Sequence, residues 1–168
     1  MTGDGEMVRA SRRLELQNRF YDRIRSRAAG EAADDSTTGG FEHLRGHKYC
    51  LIVTFKRDGT AVPTPVWFGL DGDGHVHFRT GAGVAKVRRI RHNPRVLVAP
   101  CSVRGKPLGP SVEGSARVLS PGDRERAEAA IQSNYGLGRR LYERAADAVG
   151  GDEVYVEVVP STTREDEP

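Results

Sequence analysis

Cysteine, long apolar runs and a secretory signal are scarce or missing in this sequence. Only two cysteines occur in 168 residues, Cys50 and Cys101, which excludes a disulfide framework and a four-cysteine zinc site. The longest nearly apolar run, Tyr49–Phe55, is too short to cross a bilayer, and no apolar segment near the amino terminus resembles a signal peptide. We therefore expect a cytoplasmic protein with no membrane association and with buried, reduced thiols.

Acidic residues are missing between residues 75 and 112. Eight basic residues occupy that stretch: Arg79, Lys86, Arg88, Arg89, Arg91, Arg95, Arg104 and Lys106. From Asp147 onward the balance reverses, with seven acidic residues and a single arginine. A block of one sign predicts an anionic partner, although a solvated basic face in an arginine-rich chain is the alternative.

Aromatic residues are also missing from the basic stretch. Between Arg79 and Lys106 the one aromatic side chain is that of His92. Proteins that bind single-stranded nucleic acid combine basic grooves with aromatic side chains on which the bases stack. The sequence therefore argues against a nucleic-acid-binding small barrel.

The chain divides into three parts by composition. Residues 1–40 predict an N-terminal helix, at about 7–29, and a flexible linker rich in glycine, serine and aspartate. Residues 41–160 predict one compact domain, and residues 161–168 an acidic tail.

Within the central part, runs of β-forming residues alternate with turn signals such as Asp58-Gly59. The predicted strands are 49–56, 61–70, 75–80, 96–101, 112–119 and 154–158. A short helix follows Gly81, and a second, interrupted helix runs from about Ser120 to Ala148. Six strands with few helices predict a mainly β fold, a six-stranded antiparallel barrel with a few peripheral helices.

Two prolines in the second predicted strand bear on how the barrel closes. Pro63 and Pro65 are two residues apart, so their missing N–H groups lie on the same side of the strand. That side cannot form a complete ladder, which predicts either a barrel that is open beside Thr64 or a simple edge strand. An open edge next to a glycine turn and a basic helix would form a ligand cleft.

The segment from Gly81 to Lys86 follows a strand and begins a helix. It is not a dinucleotide fingerprint, because Lys86 occupies the place of the third glycine, and it is not a Walker A loop either. Free N–H groups at a helix start attract anions, and Lys86 adds a full charge one turn into the helix. We expect a phosphate site there, with further donors from Arg79 and Thr80.

Metal-binding and nucleophilic motifs are not evident. His43 and His47, and likewise His75 and His77, are spaced to share a face, but neither pair has a supporting ligand at a recognised spacing. We predict that none of the four binds a metal. No acid–base pair identifies a catalytic residue, so an enzyme of this sequence would take its chemistry from a cofactor.

An ordered series of fragments resembles the split β-barrel flavin and deazaflavin oxidoreductases, relatives of pyridoxamine-phosphate oxidase. The fragments are Asp58-Gly59-Thr60, Val62-Pro63-Thr64-Pro65-Val66-Trp67-Phe68, Phe78-Arg79-Thr80, Ala85-Lys86-Val87-Arg88-Arg89-Ile90-Arg91 and Asn93-Pro94-Arg95-Val96. Ala99-Pro100-Cys101, Leu108-Gly109-Pro110 and Glu113-Gly114-Ser115-Ala116 resemble the coenzyme F420-dependent branch more closely. The resemblance covers residues 41–159.

The resemblance implies a split barrel that forms a homodimer with two cofactor sites between the subunits. Thr64, Pro65, Val66 and Trp67 would line the isoalloxazine-type ring. Arg79, Thr80 and Lys86 would hold the phosphate of the cofactor. Val84 departs from the family pattern, since relatives often carry a hydroxyl residue there.

The implied function is that of a reductase. It would transfer a hydride from reduced coenzyme F420 to a small unsaturated or conjugated acceptor. The alternatives are an FMN-dependent oxidoreductase on the same fold and a non-catalytic protein that binds flavin, deazaflavin or haem.

Overall fold

The computed structural model describes residues 36–37, 39–135 and 152–161. Within this part, eight strands and two α-helices follow one another with two short 3-10 turns, Glu42–Leu44 and Pro121–Asp123. The strands are β1 (Ser36–Thr37), β2 (Tyr49–Phe55), β3 (Ala61–Trp67), β4 (Gly69–Leu70), β5 (Val76–Gly81), β6 (Arg95–Cys101), β7 (Ser111–Val118) and β8 (Glu153–Pro160). The helices are α1 (Ala85–His92) and α2 (Arg124–Tyr135). The predicted N-terminal helix, the second half of the last predicted helix and most of the acidic tail lie outside the described residues.

The strands form one curled sheet in the order β3-β2-β6-β7-β8-β5-β4, and each neighbouring pair is antiparallel. Its two end strands, β3 and β4, are consecutive in the chain and are separated only by Phe68. The sheet therefore curls until its ends meet at one residue. The predicted antiparallel split barrel is confirmed.

The structure has two more strands than the six predicted. The predicted strand 61–70 breaks at Phe68, because its first part pairs with β2 and its last part with β5. In addition, β1 pairs in parallel with Ser111 and Val112 of β7. The partner strand β8 covers β7 only from Gly114 onward, so the start of β7 is free on that side to bind β1.

The two prolines lie on an end strand, as their spacing predicts. Pro63 is opposite Val53 and Pro65 is opposite Leu51 in the ladder with β2. Among the described residues, β2 is the one strand that pairs with β3. One side of β3 therefore has no strand partner among the described residues, which is the position in a sheet where proline is tolerated.

The barrel interior is the main core. Its fully buried members include Phe41, Phe68 and Phe78, with Ile52 and Val98 between them. Burying one such side chain contributes about 1.5–3 kcal/mol to stability. A second apolar cluster lies on the opposite face of β2 and β6 and contains Leu51, Val53, Leu97, Ala99 and Cys101.

Helix α2 packs across β4 and β5, and a glycine makes this close approach feasible. A Cβ atom added at Gly69 would overlap the backbone of Ala130 and Ile131 in α2. Backbone cannot move aside as the end of a side chain can, so any larger residue there would displace α2 or β4. Neither helix in the described residues is long and apolar enough to cross a membrane.

We predict that Gly69→Ala lowers the free energy of unfolding by about 1–3 kcal/mol or more, because it overpacks the contact with α2. Gly72→Ala is the matched control. Gly72 lies in the β4–β5 turn, an added Cβ there would meet no atom within 4 Å, and its φ is ordinary. The control should leave stability unchanged or raise it slightly. Chemical denaturation compares the two, and equal stability would contradict the proposed contact.

Candidate cofactor site

The four predicted ring-lining residues are divided between the two faces of β3. Val66 is part of the main core, and side chains two residues apart share a face, so Thr64 points to the same side. Trp67 and Pro65 are opposite Tyr49 and Leu51 of β2 and lie on the face of the second apolar cluster. Pro65 is exposed, whereas Thr64 and Trp67 are half-buried.

The predicted phosphate ligands are divided in the same way. Phe78 is buried in the main core, and alternation along β5 places Thr80 on its side and Arg79 on the other. The ammonium of Lys86 lies over the Phe78 ring, 5.5 Å from its centroid. Arg79 instead forms an ion pair with Glu153 of β8, with 3.2 Å between Nη1 and Oε2. Lys86 and Thr80 are therefore associated with the core side of β5, and Arg79 is not.

Lys86 is half-buried at the first turn of α1. Burial is the largest of the effects that lower the pKa of its amine to about 8; Cys50 acts in the opposite direction, and nearby Arg89 also lowers the pKa. A bound anion favours the charged amine and would raise this pKa again. The side chain is thus well suited to bind an anion, and its binding should depend on pH near neutrality.

The start of α1 has no side-chain cap. Val84, at the N-cap, is extended and makes no side-chain cap hydrogen bond. A hydroxyl residue would normally bond to the first N–H groups of the helix at this position. The first turn therefore relies on water or a ligand for its free N–H groups.

A cavity of about 340 Å³ lies beside α1, at the tip of the β2–β3 hairpin. We call it the basic groove; its lining residues are Phe55, Lys56, Arg57, Ala85, Arg88, Arg89 and His92. None of these is acidic. Arg89 is held in place by a 2.7 Å hydrogen bond from its Nε to the hydroxyl of the buried Thr54.

The sequence alone does not show that the residues of the basic groove lie together. Two of its cationic residues, Arg88 and Arg89, belong to the acid-free stretch, but Lys56 and Arg57 lie about thirty residues earlier in the chain. The hairpin brings them next to α1. The acid-free stretch was the signal in the sequence for the part of the groove that α1 forms. The part that the hairpin forms depends on the fold.

A second open cleft, of about 720 Å³, lies between the first turns of α2 and the start of β8. We call it the acidic cleft; it is lined by Ala82, Arg124, Glu125, Glu128, Asp152, Glu153, Val154 and Tyr155. Burial, together with a hydrogen bond to Glu128, raises the pKa of Tyr155 to about 12. This cleft disfavours an anion, and Arg79 is paired on this side.

Two of the histidines belong to a buried polar network beneath α2. His77 Nε2 lies 2.7 Å from Asp71 Oδ2, and His75 Nδ1 lies 3.3 Å from Glu157 Oε1. Ligand atoms of Asp71, His75 and Glu157 come within 4.8 Å of one another, close enough to hold a metal ion.

Arginines already neutralise both carboxylates of this network. Arg126 donates to Asp71, and Arg117 Nε donates to Glu157 at 2.6 Å. Burial alone would raise the pKa of Asp71, but hydrogen bonds from His77, the His75 backbone and Arg126 lower it to about 2. A metal ion would have to displace or repel these arginines, so the absence of a metal ligand role for the histidines stays our prediction.

Both cysteines are buried and free, as predicted. Cys50 belongs to the main core and Cys101 to the second cluster, on the other face of the sheet. Burial raises the pKa of both thiols, that of Cys101 to about 12. They act as small apolar residues rather than as nucleophiles.

Comparison with known proteins shows to which family the chain belongs. The model of a family described as pyridoxamine 5′-phosphate oxidase matches residues 41–164, most of the chain. The chain belongs to the pyridoxamine 5′-phosphate oxidase family. No curated protein is a significant match.

Solved structures share the fold of this family member at low sequence identity. The conserved hypothetical protein Rv2991 of Mycobacterium tuberculosis matches with a TM-score of 0.53 at 20% identity, over 75% of this chain and 82% of its own. The haem storage protein HutZ of Vibrio cholerae matches with 0.54 at 11% identity, over 74% and 93%. A FAD-binding protein of Mesorhizobium loti matches with 0.50 at 17% identity, over 71% and 83%. These likenesses show the fold and no more.

Proposed function

We propose that this member of the family is an oxidoreductase that binds coenzyme F420 and reduces a small unsaturated or conjugated acceptor. The observation that carries the proposal is the basic groove, which lies between α1 and the tip of the β2–β3 hairpin and includes Ala85, the neighbour of Lys86. Coenzyme F420 has a long anionic tail with a phosphate and carboxylates. A groove with several cations and no acidic lining residue is complementary to such a tail.

Different residues of the site would bind different parts of the cofactor. Lys86 and Thr80 would hold the phosphate, and the arginines of the basic groove would hold the rest of the tail. Thr64, Pro65, Val66 and Trp67 would line the ring. Arg79 is the least favourably placed of the proposed ligands, because it must first leave Glu153.

When bound, the reduced deazaflavin would supply the hydride, and the protein would supply orientation and charge compensation. Lys86 and the basic groove would neutralise the tail, and β3 would fix the position of the ring at the split. The binding energy of the tail, through Lys86 and the arginines of the basic groove, would serve to position the ring.

Two alternatives keep the fold but change the function. An FMN enzyme would use Lys86 for a single phosphate and would leave most of the basic groove without a role. A non-catalytic binding protein is the other alternative, since structures of this fold include a haem storage protein and a FAD-binding protein. The charge of the basic groove favours the longer anionic cofactor. The cytoplasmic location stays a prediction from the sequence.

We predict that coenzyme F420 binds more tightly than FMN and that its affinity falls as salt rises, because ions screen charges over a Debye length of ~8–10 Å. Titration of the purified protein with coenzyme F420, FMN, FAD and haem, at low and high salt, measures this. Tight, salt-insensitive FMN binding without F420 binding would favour the FMN enzyme. Binding of haem alone would favour the non-catalytic protein.

We predict that Lys86→Ala weakens cofactor binding about tenfold to a hundredfold, the effect of losing a charge-assisted hydrogen bond of about 1.5–3 kcal/mol. Wild-type affinity should also fall as pH rises through about 8, where the Lys86 amine of the free protein loses its proton. Lys86→Arg should remove this pH dependence, because arginine stays charged.

Arg91→Ala is the control for Lys86→Ala, since Arg91 is exposed on the same helix and lies outside the lining of the basic groove. It removes the same charge and should weaken binding much less. Isothermal titration at pH 7 and pH 9 compares the variants. Equal losses for Lys86→Ala and Arg91→Ala would mean that the basic stretch acts as a diffuse field, and the assignment of Lys86 would be wrong.

We also propose that the protein is a homodimer. An open barrel edge at β3, beside a half-buried tryptophan, leaves backbone and apolar surface that a second subunit can cover. We predict the mass of a dimer by light scattering at micromolar concentration with cofactor present. A monomer under these conditions would contradict the proposal.

A further inference from the structure

The place where the barrel splits leaves one residue without strand partners. Phe68 lies between β3, which pairs with β2, and β4, which pairs with β5. The side chains of Asn134 and Tyr135 in α2 form hydrogen bonds with its backbone groups. The Phe68 N–H donates to the Tyr135 hydroxyl at 3.0 Å, and the Asn134 amide donates to the Phe68 carbonyl at 3.0 Å.

The same end of α2 is tied to the residues that precede β2. The Asn134 amide also donates to the His47 carbonyl at 3.0 Å, and the Tyr135 hydroxyl donates to the Lys48 carbonyl. The Lys48 ammonium lies 5.3 Å from the centroid of the Tyr135 ring. Two side chains of α2 therefore hold together the start of β2 and the break between β3 and β4.

The Tyr135 ring also contacts a predicted ring-lining residue. It is stacked on the indole of Trp67, with centroids 5.3 Å apart and an interplanar angle of 25°. Tyr49 meets the same indole edge-on, at 6.2 Å and 62°. Together, Tyr135 and Tyr49 restrict the position of the Trp67 indole.

We propose that Tyr135 is a positioning residue for the cofactor ring: by stacking on Trp67 it fixes the indole that lines the ring. This rests on the proposed function, because Trp67 lines a ring only if a cofactor binds at β3. Asn134 and the Tyr135 hydroxyl hold the backbone at the split, and the Tyr135 ring holds the indole. These two roles can be separated by mutation.

The variants Tyr135→Phe and Tyr135→Leu separate the role of the hydroxyl from that of the ring. Both variants lose the hydroxyl, and with it the partner of the Phe68 N–H, so both should lose similar stability. Only Tyr135→Leu also loses the stacked ring. Stacked aromatic pairs are worth enough to change an affinity about twofold to tenfold.

Trp67 is the only tryptophan of the chain, so ¹⁵N-labelled protein gives one indole N–H signal by NMR. We expect this signal to move in Tyr135→Leu and to stay near its wild-type position in Tyr135→Phe. We expect Tyr135→Leu to weaken binding of coenzyme F420, or of FMN if that is the cofactor, about fivefold to tenfold. Tyr135→Phe should retain an affinity within about threefold of the wild type.

Tyr155→Leu is the matched control. Tyr155 also contacts α2, through a 2.6 Å hydrogen bond to Glu128, but it is not part of the aromatic cluster. It should lower stability and leave both the indole signal and cofactor affinity near those of the wild type. Equal loss of affinity in Tyr135→Phe and Tyr135→Leu, or wild-type affinity in Tyr135→Leu, would overturn the positioning role.

Failure of the proposed function has a different outcome. If the wild-type protein binds neither coenzyme F420 nor FMN, the proposed function is wrong. The indole signal then still tests whether Tyr135 fixes the position of the Trp67 indole. An unchanged signal in Tyr135→Leu would overturn that role.

Discussion

The closure of the sheet at Phe68 is the constraint on which the rest of the structure depends. The two end strands of the curled sheet are consecutive in the chain, and Phe68 between them pairs with neither β2 nor β5. Buried backbone groups without partners cost free energy, and here side chains at the end of α2 provide the partners. The split is therefore a place where α2 is attached to the sheet, and the close approach at Gly69 and the stacked Trp67 indole lie beside this attachment.

Charge is separated across the two sides of the same barrel. The basic groove lies beside α1, and the acidic cleft lies between α2 and β8. Lys86 is associated with the core side of β5, and Arg79 pairs with Glu153 across the sheet. The charge of the lining residues favours an anionic ligand at the basic groove over one at the acidic cleft.

The buried network of Asp71, His75, His77 and Glu157 has a different character. Its charges are matched by Arg117 and Arg126 rather than left open for a ligand. Because Arg126 belongs to α2, this network attaches the first turn of the helix, whereas Asn134 and Tyr135 attach it about two turns later. Both attachments hold α2 over the β4–β5 hairpin, and the second places an aromatic ring against Trp67.

Local patterns in the sequence determined the strands, the turns and the open edge, because alternation, Asp-Gly pairs and missing proline N–H groups act over a few residues. The same is true of the helix start after Gly81, where the sequence predicts an anion site. Only the tertiary structure decided which side chains meet. Alternation along a strand already separates Arg79 from Thr80, but the ion pair of Arg79 with Glu153 and the contact of Lys86 with Phe78 depend on the tertiary structure. The pairing of distant segments brought Lys56 and Arg57 to α1, and Tyr135 to Trp67, because such contacts depend on how the sheet curls and not on spacing along the chain.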